Sequence, residues 1–332
     1  MINQIYIENE IKDHPRVQRI LKKFKRKTPI YIDKYASVFN KKNQNFRIQK
    51  KYPSLILAQK KAGHVLKTPS DFGIGNSNNF YFSHMYNCLY DCEYCFLQGM
   101  YSSADYVLFV NYEDFEDEIK EKINFLKNER VTFFSGYDCD SLAFEKISGF
   151  VSHFLPFFKR FSNVEIELRT KSTQMEPLLK MEPVSNCIVA FSLLPAEIAN
   201  KTDHKVPTIK KRINKISELA LMGWKIGLRF DPLIHGENWK NIYKELFADV
   251  FKNIDKKAIH SITLGPLRFP KAMFKKILDM NPRSKLLSDV LVLRGNKISY
   301  TNEIELEMQS FCIDLLNKHS PETLLFSCKG NF

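Results

Sequence analysis

Three cysteines within eight residues are the feature of this sequence best suited to chemistry. Cys88, Cys92 and Cys95 stand in the run Cys-Leu-Tyr-Asp-Cys-Glu-Tyr-Cys, called the cysteine loop below. Thiolates hold iron–sulfur clusters, and three of them leave one iron of a four-iron cluster without a protein ligand. Catalytic metal sites keep such an open position, whereas structural sites close it. We therefore interpret the loop as a catalytic cluster site.

Two other interpretations of the cysteine loop are a zinc site and three inert buried thiols. Structural zinc usually takes four ligands in paired Cys-x-x-Cys arms. No second arm is formed by the remaining cysteines, Cys139, Cys187, Cys312 and Cys328. The odd total of seven cysteines, without an export signal, also argues against a disulfide framework. These observations favour the iron–sulfur interpretation.

A repeat of strands and helices must position the cysteine loop. Runs of β-branched and aromatic residues predict buried strands at residues 79–83, 130–135, 164–170, 186–193, 225–230 and 261–264. Helical periodicity predicts intervening helices at residues 112–126, 141–158, 207–222 and 239–253. Parallel strands with right-handed crossovers give an incomplete barrel or an open wound sheet, with chemistry at the carboxyl ends of the strands. The cysteine loop follows the first of these strands and so lies at that end.

The net charge of +13 is concentrated in residues 1–70. This segment holds 17 Lys and Arg against four acids, and the other 262 residues carry 33 of each sign. Concentrated basic charge with interspersed aromatic residues suits a nucleic-acid surface, because phosphate binding releases counterions. The alternative is a solubilising face.

The ends of the chain divide it into three predicted parts. These are a basic N-terminal extension packing on the barrel at 1–70, the barrel at 71–280 and a C-terminal substrate-binding extension at 281–332. The last part predicts a hairpin, residues 289–293 and 297–300, and a helix at 303–317. With 44% hydrophobic and 26% charged residues and no run of about 18 apolar residues, the sequence predicts a cytoplasmic globular protein.

The cysteine loop after the first strand resembles the radical S-adenosylmethionine (SAM) superfamily, and further segments resemble the spore photoproduct lyase family within it. The resemblance runs over roughly residues 54–320. Its segments occur in order along the chain: YCFLQ at 94–98, YVLFVN at 106–111, TK at 170–171, FS at 191–192, GENW at 236–239 and YKELF at 243–247. Individually these segments are weak, and their order carries the resemblance.

The resemblance implies an α/β fold, a partial (β/α)6 TIM-type barrel, with a [4Fe-4S] cluster on Cys88, Cys92 and Cys95. It implies SAM on the open iron, with Lys171 and Ser192 at its methionyl end. The implied activity is a radical SAM lyase that repairs a thymine-dimer-type ultraviolet photoproduct in DNA. The implied partners are damaged, double-stranded DNA and an electron donor such as flavodoxin or ferredoxin.

Further residues take their predicted roles from the same resemblance. Tyr94 matches a family tyrosine beside the cluster, and Asp140 matches a family aspartate, which places it with the cofactor-binding residues. Arg229 ends the fifth predicted strand and is a candidate substrate ligand, although a structural ion pair is equally compatible. Arg294 lies at the hairpin tip and is a candidate for binding or wedging into a duplex, with an exposed turn arginine as the alternative.

The sequence departs from the family where a hydrogen atom returns to the repaired thymine. With Asp140 on the family aspartate, Tyr137 occupies the position of the family's donor cysteine and Cys139 lies two residues later. Phe96 replaces the second tyrosine of the family's cysteine loop. A phenol and a thiol can each give up a hydrogen atom, so Tyr137 and Cys139 are both predicted catalytic residues. The alternatives are radical chemistry on another nucleic-acid or small-molecule substrate, and a non-catalytic iron–sulfur protein that binds nucleic acid.

Overall fold

The computed structural model describes residues 2–69, 72–127 and 129–327. Cys328 lies outside the described residues, so its separation from the metal site stays a prediction. In chain order the strands are β1 (Ile5–Glu8), β2 (Ile30–Ile32), β3 (Leu55–Ala58), β4 (Val65–Lys67), β5 (Asn78–Phe82), β6 (Met85–Tyr86), β7 (Asp91–Cys92), β8 (Tyr106–Phe109), β9 (Val131–Ser135), β10 (Val164–Thr170), β11 (Cys187–Ser192), β12 (Asp203–His204), β13 (Lys225–Leu233), β14 (Ile259–Pro266), β15 (Arg268–Pro270), β16 (Val292–Arg294), β17 (Lys297–Ser299) and β18 (Leu324–Ser327).

The helices connect and cover these strands. In chain order they are α1 (Pro15–Leu21), α2 (Ala36–Phe39), α3 (Phe46–Lys51), α4 (Leu97–Met100), α5 (Tyr112–Leu126), α6 (Glu145–Ser148), α7 (Phe150–Phe158), α8 (Glu176–Lys180), α9 (Ala196–Thr202), α10 (Ile209–Leu221), α11 (Trp239–Asn253), α12 (Lys271–Met280) and α13 (Asn302–His319). Two short 3-10 helices lie at Asn9–Ile11 and Lys256–Ala258.

The main sheet has the order β4-β5-β9-β10-β11-β13-β14-β18. Its pairs are parallel, apart from β4, which is antiparallel to β5. Every residue of β11 is buried, as expected for a parallel strand covered on both faces. The strands β5, β9, β10, β11, β13 and β14 follow one another in chain order, which confirms the partial (β/α)6 barrel. β18, beyond the predicted C-terminal helix, adds an edge strand that the sequence analysis missed.

The predicted helix at 141–158 is two helices, α6 and α7, joined at Gly149. Gly149 has a φ of +64°, in the left-handed region that favours glycine. A Cβ at this position would lie 2.6 Å from a guanidinium nitrogen of Arg19, a contact that a shift of this flexible side chain can relieve. The break therefore reflects the backbone conformation that glycine permits.

The N-terminal segment forms a second sheet, in the order β2-β1-β3-β8-β6. β1 pairs in parallel with β2 and β3, and β3 pairs in parallel with β8. Since β8 follows the cysteine loop in the chain, backbone hydrogen bonds cross the boundary predicted at residue 70. The division into three parts stays a prediction. Strand pairing makes the first of these parts continuous with the rest of the fold.

Much of the basic charge of residues 1–70 contacts the protein itself. Arg16 pairs with Glu113 at 2.9 Å, and Arg19 donates to the carbonyl of Ser148 at 2.6 Å. Lys61 pairs with Glu10 at 2.6 Å. The charge excess is therefore partly structural and cannot all be assigned to a partner.

Apolar side chains fill the space between the main sheet and its helices. Phe82, Phe133, Phe150 and Phe154 belong to this core and are 0–1% exposed. A separate apolar cluster, which includes Ile5, lies around the N-terminal sheet. None of the described helices combines the length and apolar character needed to span a bilayer.

His84 is a fully buried titratable side chain that packs against this core. Its ring stacks on Phe150, with centroids 4.1 Å apart and planes 15° apart. Neither ring nitrogen has a hydrogen-bond partner among the described residues. Burial lowers the pKa of His84 to about 3, so the folded protein holds this ring neutral.

We expect this ring to weaken the fold in acid. Below about pH 6.5 the unfolded chain binds a proton at His84 that the folded chain excludes. The free energy of unfolding should then fall with pH by up to about 1.4 kcal/mol per unit, until the pH nears the folded value. His84→Phe should flatten this slope in urea titrations between pH 4 and 6.5. Identical slopes for parent and His84→Phe would contradict the assignment.

Candidate active site

A cavity of about 260 Å³ lies at the carboxyl ends of the barrel strands. Residues at or just after the ends of successive strands line its wall. They are Ser135 at the end of β9, Lys171 after β10, Ser192 at the end of β11, Asp231 near the end of β13 and Leu267 after β14. This placement confirms the prediction that the strand ends face one site. Parallel strands with helical crossovers bring these positions together because all their carboxyl ends meet at one side.

The cysteine loop forms one side of the cavity. Cys88, Cys92 and Cys95 all line it, and Cys139, on the loop after β9, lies in the same wall. Cys187 and Cys312 are fully buried and are not among the lining residues. The three predicted ligands are thus brought together at the open end of the barrel.

The N-terminal segment supports the cysteine loop through residues that are not part of the cavity wall. Arg47 on α3 pairs with Asp91 at 3.1 Å and donates to Gln98 at 2.5 Å. Lys50, on the same helix, is buried and donates from Nζ to the carbonyl of Cys88 at 2.5 Å. Gln98 in turn donates to the carbonyl of Cys92 at 2.8 Å. Two of the basic residues therefore hold the loop in place.

The three thiols of the cysteine loop are neutral in the absence of a metal. Burial raises the pKa of Cys88 to about 12 and raises the pKa values of Cys92 and Cys95. Such thiols stay protonated without a metal, and binding of iron would release the protons. The backbone N–H of Tyr90 donates to the sulfur of Cys88 at 3.4 Å, a contact that stabilises a thiolate.

The described side chains do not offer a site for a single metal ion. No three His, Cys, Asp or Glu side chains of residues 2–69, 72–127 and 129–327 converge as ligands of one ion. A four-iron cluster binds each thiolate through a different iron, so its ligands need not converge on one point.

Lys171 and Ser192 lie where the sequence predicts them, at the ends of neighbouring strands. Lys171 directly follows β10, Ser192 ends β11, and both line the cavity. The ammonium of Lys171 lies 5.1 Å from the ring centroid of Tyr94. Burial opposes its charge, but an ionised Cys92 and Asp203 raise the pKa of Lys171, which keeps it cationic. The two residues offer a cation and a hydroxyl beside the cysteine loop.

Asp140 is held by the protein through both carboxylate oxygens. Oδ1 accepts from the hydroxyl of Thr170 at 2.7 Å and from the backbone of Ala143 at 2.8 Å. Oδ2 accepts from the backbone N–H of Lys171 at 2.6 Å. Asp140 lines the cavity and fixes the backbone of Lys171, while direct contact with a cofactor stays a prediction.

Tyr94 belongs to a buried polar network beside the cysteines. Its hydroxyl donates to Asp203 on β12, whose carboxylate also pairs with Arg212 on α10 at 2.6 Å. β12 pairs in antiparallel fashion with β7, which places Asp203 opposite Cys92. The sequence analysis missed both network residues, because Asp203 follows no motif and Arg212 lies in a Lys-Lys-Arg run typical of an exposed helix face.

Tyr137 and Cys139 both line the cavity. The ring of Tyr137 packs at a tilt against Tyr81, with centroids 4.4 Å apart, and the centroid of the Phe96 ring lies 5.6 Å away. Cys139 is 7% exposed, and burial, followed by the proximity of Cys88, raises the pKa of its thiol. Both candidate hydrogen donors are thus at the site, and their roles stay predictions.

Arg229, a candidate substrate ligand, forms an ion pair within the protein. It borders the cavity, but its side chain is 1% exposed and pairs with Glu167 at 2.7 Å. Its other N–H groups donate to the carbonyl of Leu228 and to the carbonyl and hydroxyl of Ser261. These contacts agree with the structural ion pair that the sequence analysis gave as the alternative, and binding of a substrate by Arg229 stays a prediction.

Arg294 lies on the predicted hairpin, formed by β16 and β17, but is not exposed at its tip. Its guanidinium pairs with Glu305 at 2.5 Å and donates to the carbonyl of Tyr300 at 3.1 Å. Arg294 is absent from the cavity wall. Contact between Arg294 and a DNA duplex would require the guanidinium to leave Glu305. Binding of DNA by Arg294 stays a prediction.

Two arginines in the cavity wall were not predicted. Arg268 pairs with Asp231 through two contacts, at 2.9 and 3.0 Å. Arg169 lies over the ring of Phe72, 4.9 Å from its centroid. The signal for Arg169 was its place at a strand end, immediately before Thr170 and Lys171. Arg268 carried no such signal, because the strand containing it was not predicted.

A partial barrel of six sequential strands with a three-cysteine loop after the first defines the radical SAM class of fold and site. The spore photoproduct lyase family model matches residues 1–295. The chain belongs to the spore photoproduct lyase family.

Curated relatives and solved structures agree with this family. The spore photoproduct lyase of Clostridium acetobutylicum is 24% identical over 214 residues, 64% of this chain and 63% of that protein. That of Bacillus subtilis is 22% identical over 206 residues, 61% of this chain and 60% of that protein. The chain thus aligns with about three fifths of the length of these relatives.

A solved spore photoproduct lyase mutant with bound SAM and dinucleoside spore photoproduct has a TM-score of 0.84 to this structure. It is 18% identical, and the match covers 98% of each chain. At this identity the likeness shows the fold. The match includes the N-terminal sheet, because it extends over nearly the whole chain.

We expect each of Cys88, Cys92 and Cys95 to be required for iron binding. Replacing any one with Ala should abolish the brown chromophore and most of the iron after anaerobic reconstitution, because the remaining two thiolates cannot hold a cluster. Cys187→Ala and Cys312→Ala, at buried cysteines outside the cavity wall, serve as controls and should load iron as the parent does. Full iron in Cys92→Ala would contradict the assignment.

Proposed function

We propose that this protein is a radical SAM lyase that repairs a thymine-dimer-type ultraviolet photoproduct in DNA. The observation that carries the proposal is the joint placement of the cysteine loop, Lys171 and Ser192 around one cavity at the carboxyl ends of the barrel strands. The family match over residues 1–295 supports it. A structural relative was solved with both SAM and a dinucleoside photoproduct, which supports the same substrate class.

The cofactors of the proposal are a [4Fe-4S] cluster on Cys88, Cys92 and Cys95 and one SAM. When bound and reduced by one electron, such a cluster cleaves SAM and supplies a 5′-deoxyadenosyl radical that takes hydrogen from the substrate. Lys171 would bind the methionyl carboxylate, because a cation in a buried site forms a strong charge-assisted contact. Ser192 would donate its hydroxyl hydrogen beside it. The chain itself thus orients SAM and limits access of water.

The shape of the site constrains how DNA is bound. The site is a cavity walled by strand ends and loops, not a flat surface that a duplex could lie across. The lesion would therefore leave the base stack, at a cost of a few kcal/mol that is smallest for a damaged base. The double-stranded state of the DNA and a small electron donor, such as flavodoxin or ferredoxin, belong to the proposal.

Tyr137 and Cys139 are the proposed sources of the hydrogen atom that returns to the product. Both line the cavity, on the loop after β9. Burial raises the pKa of Tyr137 and of Cys139, so each keeps its hydrogen at neutral pH. Phe96 replaces the second tyrosine of the family's cysteine loop and cannot donate a hydrogen atom from a hydroxyl. Tyr137 and Cys139, on the loop after β9, are the potential donors nearest in sequence to the position of the family's donor cysteine.

The proposal is tested with ultraviolet-irradiated DNA under anaerobic, dithionite-reduced conditions. We expect 5′-deoxyadenosine and restored thymine with irradiated DNA, and no restored thymine with unirradiated DNA. Tyr137→Phe or Cys139→Ala should still cleave SAM but divert product to dithionite-derived adducts, as measured by chromatography and mass spectrometry. If both variants restore thymine cleanly, this loop does not supply the hydrogen. If the parent cleaves SAM but never acts on irradiated DNA, the repair function is wrong and another substrate takes its place.

Exposed cations of the N-terminal segment provide a separate test of DNA binding. Lys22, Lys25 and Arg26, in the turn after α1, are exposed. Changing the three to Gln should weaken DNA binding and reduce the slope of log affinity against log salt, because each phosphate contact releases counterions. The matched control is the triple change of Lys252, Lys256 and Lys257 to Gln, at exposed lysines before β14. Equal slopes for both variants and the parent would assign the N-terminal excess to structure and solubility.

A further inference from the structure

One buried ion pair lies outside the cavity wall yet contacts the elements that form it. Nη2 of Arg212 lies 2.6 Å from Oδ2 of Asp203, and the two side chains are 1% and 2% exposed. Neither residue is among those lining the cavity. Any effect of this pair on a bound molecule must therefore act through its neighbours.

Arg212 connects two strand-end segments. Its Nη1 donates to the carbonyl of Ser192 at 2.9 Å, and its Nε donates to the carbonyl of Pro207 at 2.8 Å. Ser192 is the last residue of β11 and lines the cavity. The guanidinium thus fixes the backbone at the position where the hydroxyl of Ser192 enters the site.

Asp203 connects the same pair to the cysteine loop. Its carboxylate accepts from the hydroxyl of Tyr94, between the second and third cysteines. Its backbone pairs with Cys92, and the N–H of Glu93 donates to the carbonyl of Thr202 at 2.9 Å. Side chain and backbone therefore hold the same turn of the loop.

Tyr94 connects the pair to Lys171. The ammonium of Lys171 lies 5.1 Å from the ring centroid of Tyr94, and the hydroxyl of the same ring donates to Asp203. The pair therefore acts on the position of Lys171 through the ring that it holds.

We infer that Asp203 and Arg212 form a positioning pair for SAM. The pair holds Tyr94 with the cysteine loop, the end of β11 with Ser192, and the ammonium of Lys171 in one mutual arrangement. Affinity for SAM therefore depends on two residues that do not touch it. This inference rests on the proposed function, since SAM is its ligand.

The test removes both charges together, so that no lone buried charge remains. Asp203→Asn/Arg212→Gln is reconstituted with iron, matched to the parent in iron per chain, and titrated anaerobically with SAM by calorimetry. We expect SAM to bind at least about ten-fold more weakly. Glu8→Gln is the control, because Glu8 is a buried carboxylate that accepts from the backbones of Tyr35 and Gln59 in the N-terminal sheet. It should lower the melting temperature and leave the SAM dissociation constant unchanged.

A double-mutant cycle with Lys171→Ala separates positioning from general stability. In the parent, Lys171→Ala should weaken SAM binding about ten-fold or more, because it removes a charge-assisted contact. In the double variant the same change should have a clearly smaller effect, because the ammonium is no longer held in place. Equal effects in both backgrounds, or an unchanged dissociation constant in the double variant, would overturn the inference.

Three outcomes distinguish failure of the inference from failure of the proposed function. Loss of the folded circular dichroism spectrum in both Asp203→Asn and the double variant would assign the pair to the fold and overturn a role in positioning. If the iron-loaded parent itself binds no SAM, the proposed function fails and the inference fails with it. Normal SAM binding by the parent and the variants alike would refute the inference alone.

Discussion

Charge buried at the carboxyl end of the barrel is the constraint on which the site depends. An unpaired ion in such a position costs several kcal/mol, so each must have a partner. Burial favours neutral Glu167, but Arg169 and Arg229 lower its pKa to about 2. Arg212 with Asp203 and Arg268 with Asp231 are similarly paired. These pairs connect separate strands and helices, so satisfying the charges also fixes the strand ends that surround the cavity.

The cysteine loop is supported by both the N-terminal segment and the barrel. On one side, Arg47 and Lys50 of α3 bind its carboxylate and backbone. On the other, Asp203 binds Tyr94 and pairs with Cys92. A loop without an extended helix or strand of its own thereby gains a defined position. The family match beginning at residue 1 agrees with this support, because the N-terminal sheet and α3 are parts of the same folded unit.

The sequence could predict the barrel strands and the cysteine loop because their signals are local. Fully buried β11 appears as a continuous apolar run, and the three thiols lie within eight residues. The N-terminal sheet had weaker signals, since β1 and β2 have only four and three residues and are stabilised by pairing with distant segments. Asp203 and Arg212 were equally inaccessible, because their role arises from a contact that tertiary structure creates. For Arg229 the sequence allowed both a ligand and an ion pair, and only the structure shows its pairing with buried Glu167.

The departure from the family at Tyr137 and Phe96 is best understood through the packing of the cavity wall. Tyr81, Phe96 and Phe72 place their ring centroids 4.4, 5.6 and 6.3 Å from that of Tyr137. Such packing limits the movement of Tyr137, so its phenol occupies a defined part of the wall. Cys139 occupies another part, near Cys88. Since burial keeps both the phenol and the thiol protonated, protonation state does not select between them. The selection must come from which of the two a bound substrate radical approaches, and therefore from the shape of the cavity.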